Sequence, residues 1–282
     1  MSPIATRLRS KPSRSTAHPV YTARHGGHPV KSARDIAARA VCMGVIEFRA
    51  RFEGARLADA ASAPAEATEM INGVTAWLND AGLSSSLLAQ ERAILGLNPN
   101  TWDRKILEAL SGAMLPESIG VLFAGMNLIG AIPPYDQLFD GESLLRTLPF
   151  LSDSPFAKGP GMPAREEWEA MATGVTRADE GAIAATERIA ALWWWRAVSE
   201  SLVRAGKMPR TQLAGILRDG AARARELDIP FADGDFVVFG KPYGALTPPE
   251  QRAVSAVTEA RIRGLRWMLD GDVTWDAVSM DS

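Results

Sequence analysis

Two opposite charges stand where apolar residues are due. Val254, Val257, Arg261, Leu265 and Met268 follow the three-to-four spacing of a buried helix face, with an arginine at the centre. A guanidinium there needs a partner or a route to water, because an unpaired buried charge is costly. Glu117 is the mirror case, at the start of the most apolar stretch of the chain, Ile119 to Ile132. A buried Arg261–Glu117 pair satisfies both charges. Glu259 and the tail aspartates are the alternative partners. Such a pair specifies packing and does not by itself imply turnover.

The tail carries a second candidate chemistry. Asp270, Asp272, Asp276 and Asp281 fall at positions 1, 3, 7 and 12 of a calcium loop. The glycine that such a loop needs at position 6 is Trp275, however, and position 12 is Asp in place of a bidentate Glu. The preferred reading is a capped tail that docks through Trp275, with no metal bound. Other chemistries are narrowed by what is missing. All three histidines, His18, His25 and His28, precede the first helix. The rest of the chain has no imidazole for a Ser-His-Asp or Cys-His site or for a His-ligated zinc. Cys42 lies among Ala and Val and reads as a small buried hydrophobe, although a reactive thiol is the other reading. No Gly-rich phosphate loop is present; Gly159-Pro160-Gly161 neither follows a strand nor precedes the right Lys. No cofactor is expected. Trp193, Trp194 and Trp195 cannot all face one side of a helix that turns about 100° per residue. Either that helix is central, or a ring meets a partner or ligand. Trp195 and its neighbour Arg196 therefore join the candidate residues.

The elements that position these residues are helical. Ser32 and Asp35 are spaced as a capping pair, and Ala37, Val41, Val45, Phe48 and Phe52 form one apolar stripe behind them. Further helices are expected from Pro64 to Gly82, Leu87 to Leu95, Trp102 to Leu110 and Pro116 to Ile132, the last stopped by Pro133-Pro134. After the proline-rich stretch 149–163 come helices over Ala164–Ala172, Ala178–Ala205 and Arg210–Leu227. Phe236 to Phe239 is the one convincing strand, flanked by Gly234 and Gly240 and able to pair as a small β-hairpin near 235–243. Thr247, Pro248 and Glu250 then open the final helix. The fold expected is mainly α, a single irregular multi-helix domain over 31–282. Residues 1–30 read as a disordered basic tail with Pro3, Pro12, Pro19 and Pro29 and a short repeat, His18–Arg24 recurring as His28–Arg34.

Charge and composition bound the function class. Seven Lys/Arg and no acid lie in residues 1–34, leaving 24 basic against 33 acidic residues in the remainder. A body so acidic argues against nucleic acid, whose phosphates require clustered Lys and Arg. The longest apolar run is too short for a membrane span of ~20 residues. The single cysteine suits a reducing compartment, so a cytoplasmic location is expected.

The same positions resemble a bacterial family, the domain of unknown function 4272 family. Its members typically end with an Arg, an Ala-Leu-Asn-Trp-Leu-like helix and a Trp-Asp-x-Val-x-x-Asp tail. The equivalents here are Arg261, then Gly264-Leu265-Arg266-Trp267-Met268, then Trp275, Asp276, Val278 and Asp281. Similar blocks are Glu117 through Leu128-Ile129 to Pro133, Trp195-Arg196-Ala197, and Ser32 to Ala40. The chain departs from the pattern at Arg266, where the family has Asn, and at Ala124 and Asn127, where it has Trp and Gly. The resemblance implies no activity. The leading expectation is a non-enzymatic helical protein that binds another macromolecule, as immunity or accessory proteins do. The alternative is an enzyme or small-ligand binder with a pocket between helices, lined by Glu117, Trp195, Arg196, Arg261, Trp267, Trp275 and Asp276. Unpaired charges beside a cavity favour the alternative; a paired, closed core favours the first.

Overall fold

Ser32 opens the first helix as its spacing predicts. Its hydroxyl and backbone N–H donate to Asp35 Oδ2 at 2.6 and 3.1 Å, and its oxygen accepts from the Asp35 N–H at 3.1 Å. The computed structural model describes residues 29–58, 65–151 and 165–281. Ten helices follow one another: α1 (Ala33–Ala58), α2 (Ala65–Asp80), α3 (Ala89–Leu95), α4 (Arg104–Gly112), α5 (Leu115–Gly125), α6 (Gly141–Arg146), α7 (Arg165–Gly174), α8 (Glu180–Arg204), α9 (Arg210–Glu226) and α10 (Pro248–Leu269). Among the described residues they pack as one mainly helical domain with a small antiparallel sheet. That sheet has three strands where one hairpin was expected: β1 (Phe231–Ala232), β2 (Asp235–Val238) and β3 (Lys241–Pro242), in that order. Asp233-Gly234 and Phe239-Gly240 join them, all four residues at positive φ, which two-residue hairpin turns require. Phe239 is therefore a turn residue, not the end of the strand.

The framework is a row of helices, with α10 packed on both α8 and α5, and α5 on both α10 and α1. Gly264 lets α10 approach closely: a Cβ there would lie 3.1 Å from Val121 of α5. Two apolar clusters result. The larger gathers α1, α2, α5, α7 and the second half of α10 with the tail. The smaller gathers α8, α9, the sheet and Val254 of α10. Trp193 packs into the smaller cluster against Phe236 and Tyr135, Trp194 reaches the tail, and half-buried Trp195 rests on the smaller cluster. The three rings thus meet different layers of a central helix.

The expected end of one helix needs correction, and one short helix was not foreseen. The α5 helix stops at Gly125 and not at Ile132. Asn127 adopts φ 56° and the Leu128 N–H bonds back to the Phe123 carbonyl at 2.9 Å, a left-handed helix stop that short polar side chains tolerate. The freed residues form the loop that leads to α6, which sequence periodicity missed because it is a six-residue helix started by the Asp140 cap. Among the described residues, contacts to the tail begin at Pro29. The Pro29 carbonyl accepts from the Gly271 N–H at 2.6 Å, and Lys31 donates to the Met268 and Gly271 carbonyls. The rest of the expected disordered tail, residues 1–28, and most of the proline-rich stretch 149–163 lie outside the described residues. Among the described residues no single helix is long and apolar enough to cross a membrane.

Candidate functional site

Arg261 and Glu117 meet. Arg261 Nε donates to Glu117 Oε2 at 2.7 Å, with the two side chains 0% and 1% exposed. The rest of the guanidinium is spent on backbone: Nη1 on the Pro133 and Pro134 carbonyls, Nη2 on the Gln137 carbonyl at 2.8 Å. The second oxygen of Glu117 accepts from the Phe139 N–H at 2.9 Å. Tyr135 and Phe139 cover the guanidinium, at 4.9 and 5.3 Å. Phe139 fits only because Gly120 has no Cβ, which would collide with its ring. The pair is a clamp on the loop after α5. All three guanidinium nitrogens are engaged within the protein. The alternative partner Glu259 is held by Arg263 at 2.8 Å.

Arg196 is clamped as well. It donates through Nε and Nη2 to the two oxygens of Asp235 at 2.6 and 2.7 Å, and to Glu200 at 3.0 Å, beneath the Tyr243 ring. Glu200 is shared with Arg210 and Arg204. Burial drives its pKa up, but the hydrogen bond from Arg210 and the charge of Arg196 outweigh this and hold it below its ordinary value. Sequence reading missed two further buried arginines, both on α1. Arg49 holds Glu53 and the carbonyls of Leu95, Leu97 and Asn98. Arg39 forks onto Glu91 at 2.7 and 2.6 Å and lies 4.9 Å over the Trp275 ring. The signal for both was present, as arginines embedded in an Ala/Val-rich helix.

The tail docks through Trp275. The ring is 7% exposed and meets Trp267 edge-on at 5.5 Å. Trp194 Nε1 donates to the Met280 carbonyl at 2.8 Å, and Arg266 holds Glu187 and the carbonyls of Ser279 and Asp281. The tail aspartates are not gathered: among the described residues no three His, Cys, Asp or Glu side chains converge as metal ligands. Cys42 is fully buried, its thiol 3.6 Å from the Leu83 carbonyl and pushed up to about 12 by burial.

The seven sequence candidates therefore do not form one site. Glu117 pairs with Arg261, Trp267 meets Trp275, Trp195 and Arg196 belong to the smaller core, and Asp276 lines a cavity together with Trp275.

That cavity, about 580 Å³, lies between α1, α3, α4, α5 and α10. Its walls are aliphatic: Met43 and Ile46 of α1, Ile94 of α3, Ile106 and Leu110 of α4, and Leu115 of α5. Arg39, Glu91, Lys105, Glu259, Arg263 and Asp276 supply its charges, and Trp275 an aromatic edge. Lys105 has no ion pair or hydrogen bond among the described residues. The Thr274 hydroxyl and nearby backbone N–H groups hold exposed Asp276 below the ordinary carboxylate range. The α4 helix, capped by Asp103, covers this space without a single fully buried residue of its own. A second cavity of about 480 Å³ opens between α8, Tyr243 and the first half of α10. No family model, curated protein or solved structure matches the chain.

Proposed function

We propose that this chain is a binding protein whose cavity under α4 holds a small, largely aliphatic molecule without bond chemistry. The observation that carries the reading is the composition of that cavity. Branched aliphatic side chains from four helices line it, beneath a helix that has no buried residue of its own. Ligand sites have this character, a concave apolar wall with a few placed polar groups. The non-enzymatic half of the reading is supported by the buried arginines, since Arg39, Arg49, Arg196 and Arg261 all hold carboxylates or carbonyls. The small-ligand alternative thus moves ahead of the macromolecular partner, whose support is the acidity of the body. A cytoplasmic location stays part of the proposal and rests on the single cysteine. So does membership of the domain of unknown function 4272 family, which rests on the quoted residues. Three of those, Arg261, Trp267 and Trp275, serve the packing of α10 and its tail.

The test is titration with 1-decanol, followed by calorimetry and thermal melting, on the wild type and on Ala109→Trp, which fills the cavity from its α4 wall. Each buried methylene contributes about 0.8 kcal/mol, so a chain of this length gives measurable saturable binding. The expected result is binding to the wild type that disappears in Ala109→Trp, with helicity retained. Equal binding by both proteins, or none by the wild type, overturns the reading.

A further inference from the structure

We infer that the ligand is an elongated anionic amphiphile, its aliphatic tail under α4 and its carboxylate or phosphate head in the second cavity, on Arg252, Arg204 and Tyr243. The inference rests on the cavity reading above and adds the chemistry of the other end.

The two cavities share a wall. Ala256 and Glu259 line both. Arg252, Ser255, Ala256, Glu259, Ala260 and Arg263 follow one another along a single face of α10, and the small side chains among them leave the floor low. From Pro248 to Arg263 that face is about 22 Å long at about 1.5 Å per residue. One extended molecule can therefore occupy both spaces.

The ends of this channel differ in chemistry. The α4 end is aliphatic, whereas the other end offers donors. Arg252 is exposed and makes no ion pair or hydrogen bond among the described residues. Arg204 spends Nη2 on the Leu246 carbonyl and Nε on Glu200, leaving Nη1 free. Tyr243 is 1% exposed, and its hydroxyl has no partner among the described residues although the residue lies on the cavity wall. Burial pushes that hydroxyl up to about 12, so it remains a donor. The Gln251 amide nitrogen is also buried without a partner. The Gln251 nitrogen, left unpaired in so buried a position, is costly unless something completes it. The acids nearby do not oppose an anion alone: Glu259 is engaged by Arg263, and Glu200 is held by Arg196, Arg204 and Arg210. Arginine forks suit the planar oxygens of a carboxylate or the face of a phosphate.

Four probes separate the possibilities: 1-decanol, decanoate, decyl phosphate and decyltrimethylammonium, each below its micellar range, with inorganic phosphate as a control. Wild type, Arg252→Gln, Tyr243→Phe and Lys105→Met are compared by calorimetry. The expected result is that one or both anionic probes bind at least tenfold tighter than decanol. Arg252→Gln and Tyr243→Phe reduce this advantage to less than threefold and leave decanol binding unchanged. Which anion gains more identifies the head. Equal affinity for decanol and both anions overturns the inference while leaving the cavity reading intact, as does tightest binding of the ammonium probe. Loss of the anionic advantage in Lys105→Met alone overturns it too, because the head would then sit at the α4 mouth. If decanol itself does not bind, the cavity reading has failed first.

Discussion

Arg261 and Arg196 are both completely buried, both on long helices and both under aromatic rings, yet they are held in opposite ways. Arg261 has one carboxylate, 144 residues distant in sequence, and spends its other donors on neutral carbonyls. Arg196 has two carboxylates, one of them a single turn along its own helix, and leaves Nη1 without a partner. Burial lowers the pKa of Arg196, but Asp235 and Glu200 more than compensate and raise it overall. The first is an isolated pair and the second a network. In the isolated pair neither charge has a second partner of opposite charge, and Glu117 keeps only the Phe139 N–H if Arg261 is removed. In the network Glu200 keeps Arg210 and Arg204, and Asp235 keeps the Phe236 and Gly244 N–H groups, if Arg196 is removed.

The comparison predicts an order of effects. Arg261→Met should be the most damaging, by about 3–5 kcal/mol in denaturant unfolding, because it strands Glu117 and frees the loop after α5. Adding Glu117→Gln should cost less than the two single changes together; additivity would mean that the pair does not couple. Arg196→Met should cost less, about 2–3 kcal/mol, since its partners retain other donors. Equal losses at the two arginines would remove the distinction between pair and network.

The tryptophans extend the contrast between the two cores. Trp275→Ala should cost about 3 kcal/mol, the low end for a packed ring, and Trp195→Ala about 1 kcal/mol because its ring is half-buried. Melting of Trp275→Ala like the wild type would show that the tail is not docked.

The smallest effect is expected at Glu250, where the smaller core meets the start of α10. The Lys241 ammonium, then the Thr247 N–H and hydroxyl, lower its pKa from an ordinary 4.5 to about 2. A pKa lowered by folding stabilises the native state in full above the ordinary value, and the contribution is lost as the pH falls from 4.5 toward 2. A carboxyl NMR titration should give a Glu250 midpoint near 2 that rises toward 4.5 in Lys241→Met. An unchanged midpoint would show that the ion pair is not formed in solution.

Local codes were legible in the chain. Ser32 with Asp35 and Thr247 with Glu250 make their expected helix starts, because capping depends on residues three apart. Arg261 and Glu117 could be matched because each broke an apolar pattern that predicts burial, and a buried charge has few solutions. Arg39 and Arg49 broke the same kind of pattern on α1, but nothing local points to Glu91 or to the carbonyls after α3. The helix stop at Asn127 was hidden by apolar residues on both sides, since a left-handed turn leaves no period to read.

What the sequence determined by itself is what acts over one or two turns: helical class, most helix starts, which faces are buried and which charges need partners. The cavity under α4, the second cavity beside α10 and the choice between pair and network were decided by the tertiary structure. Each depends on gaps and contacts between helices far apart in the chain. A period of 3.6 residues states which face turns inward, but the space left between two such faces depends on how closely their backbones approach.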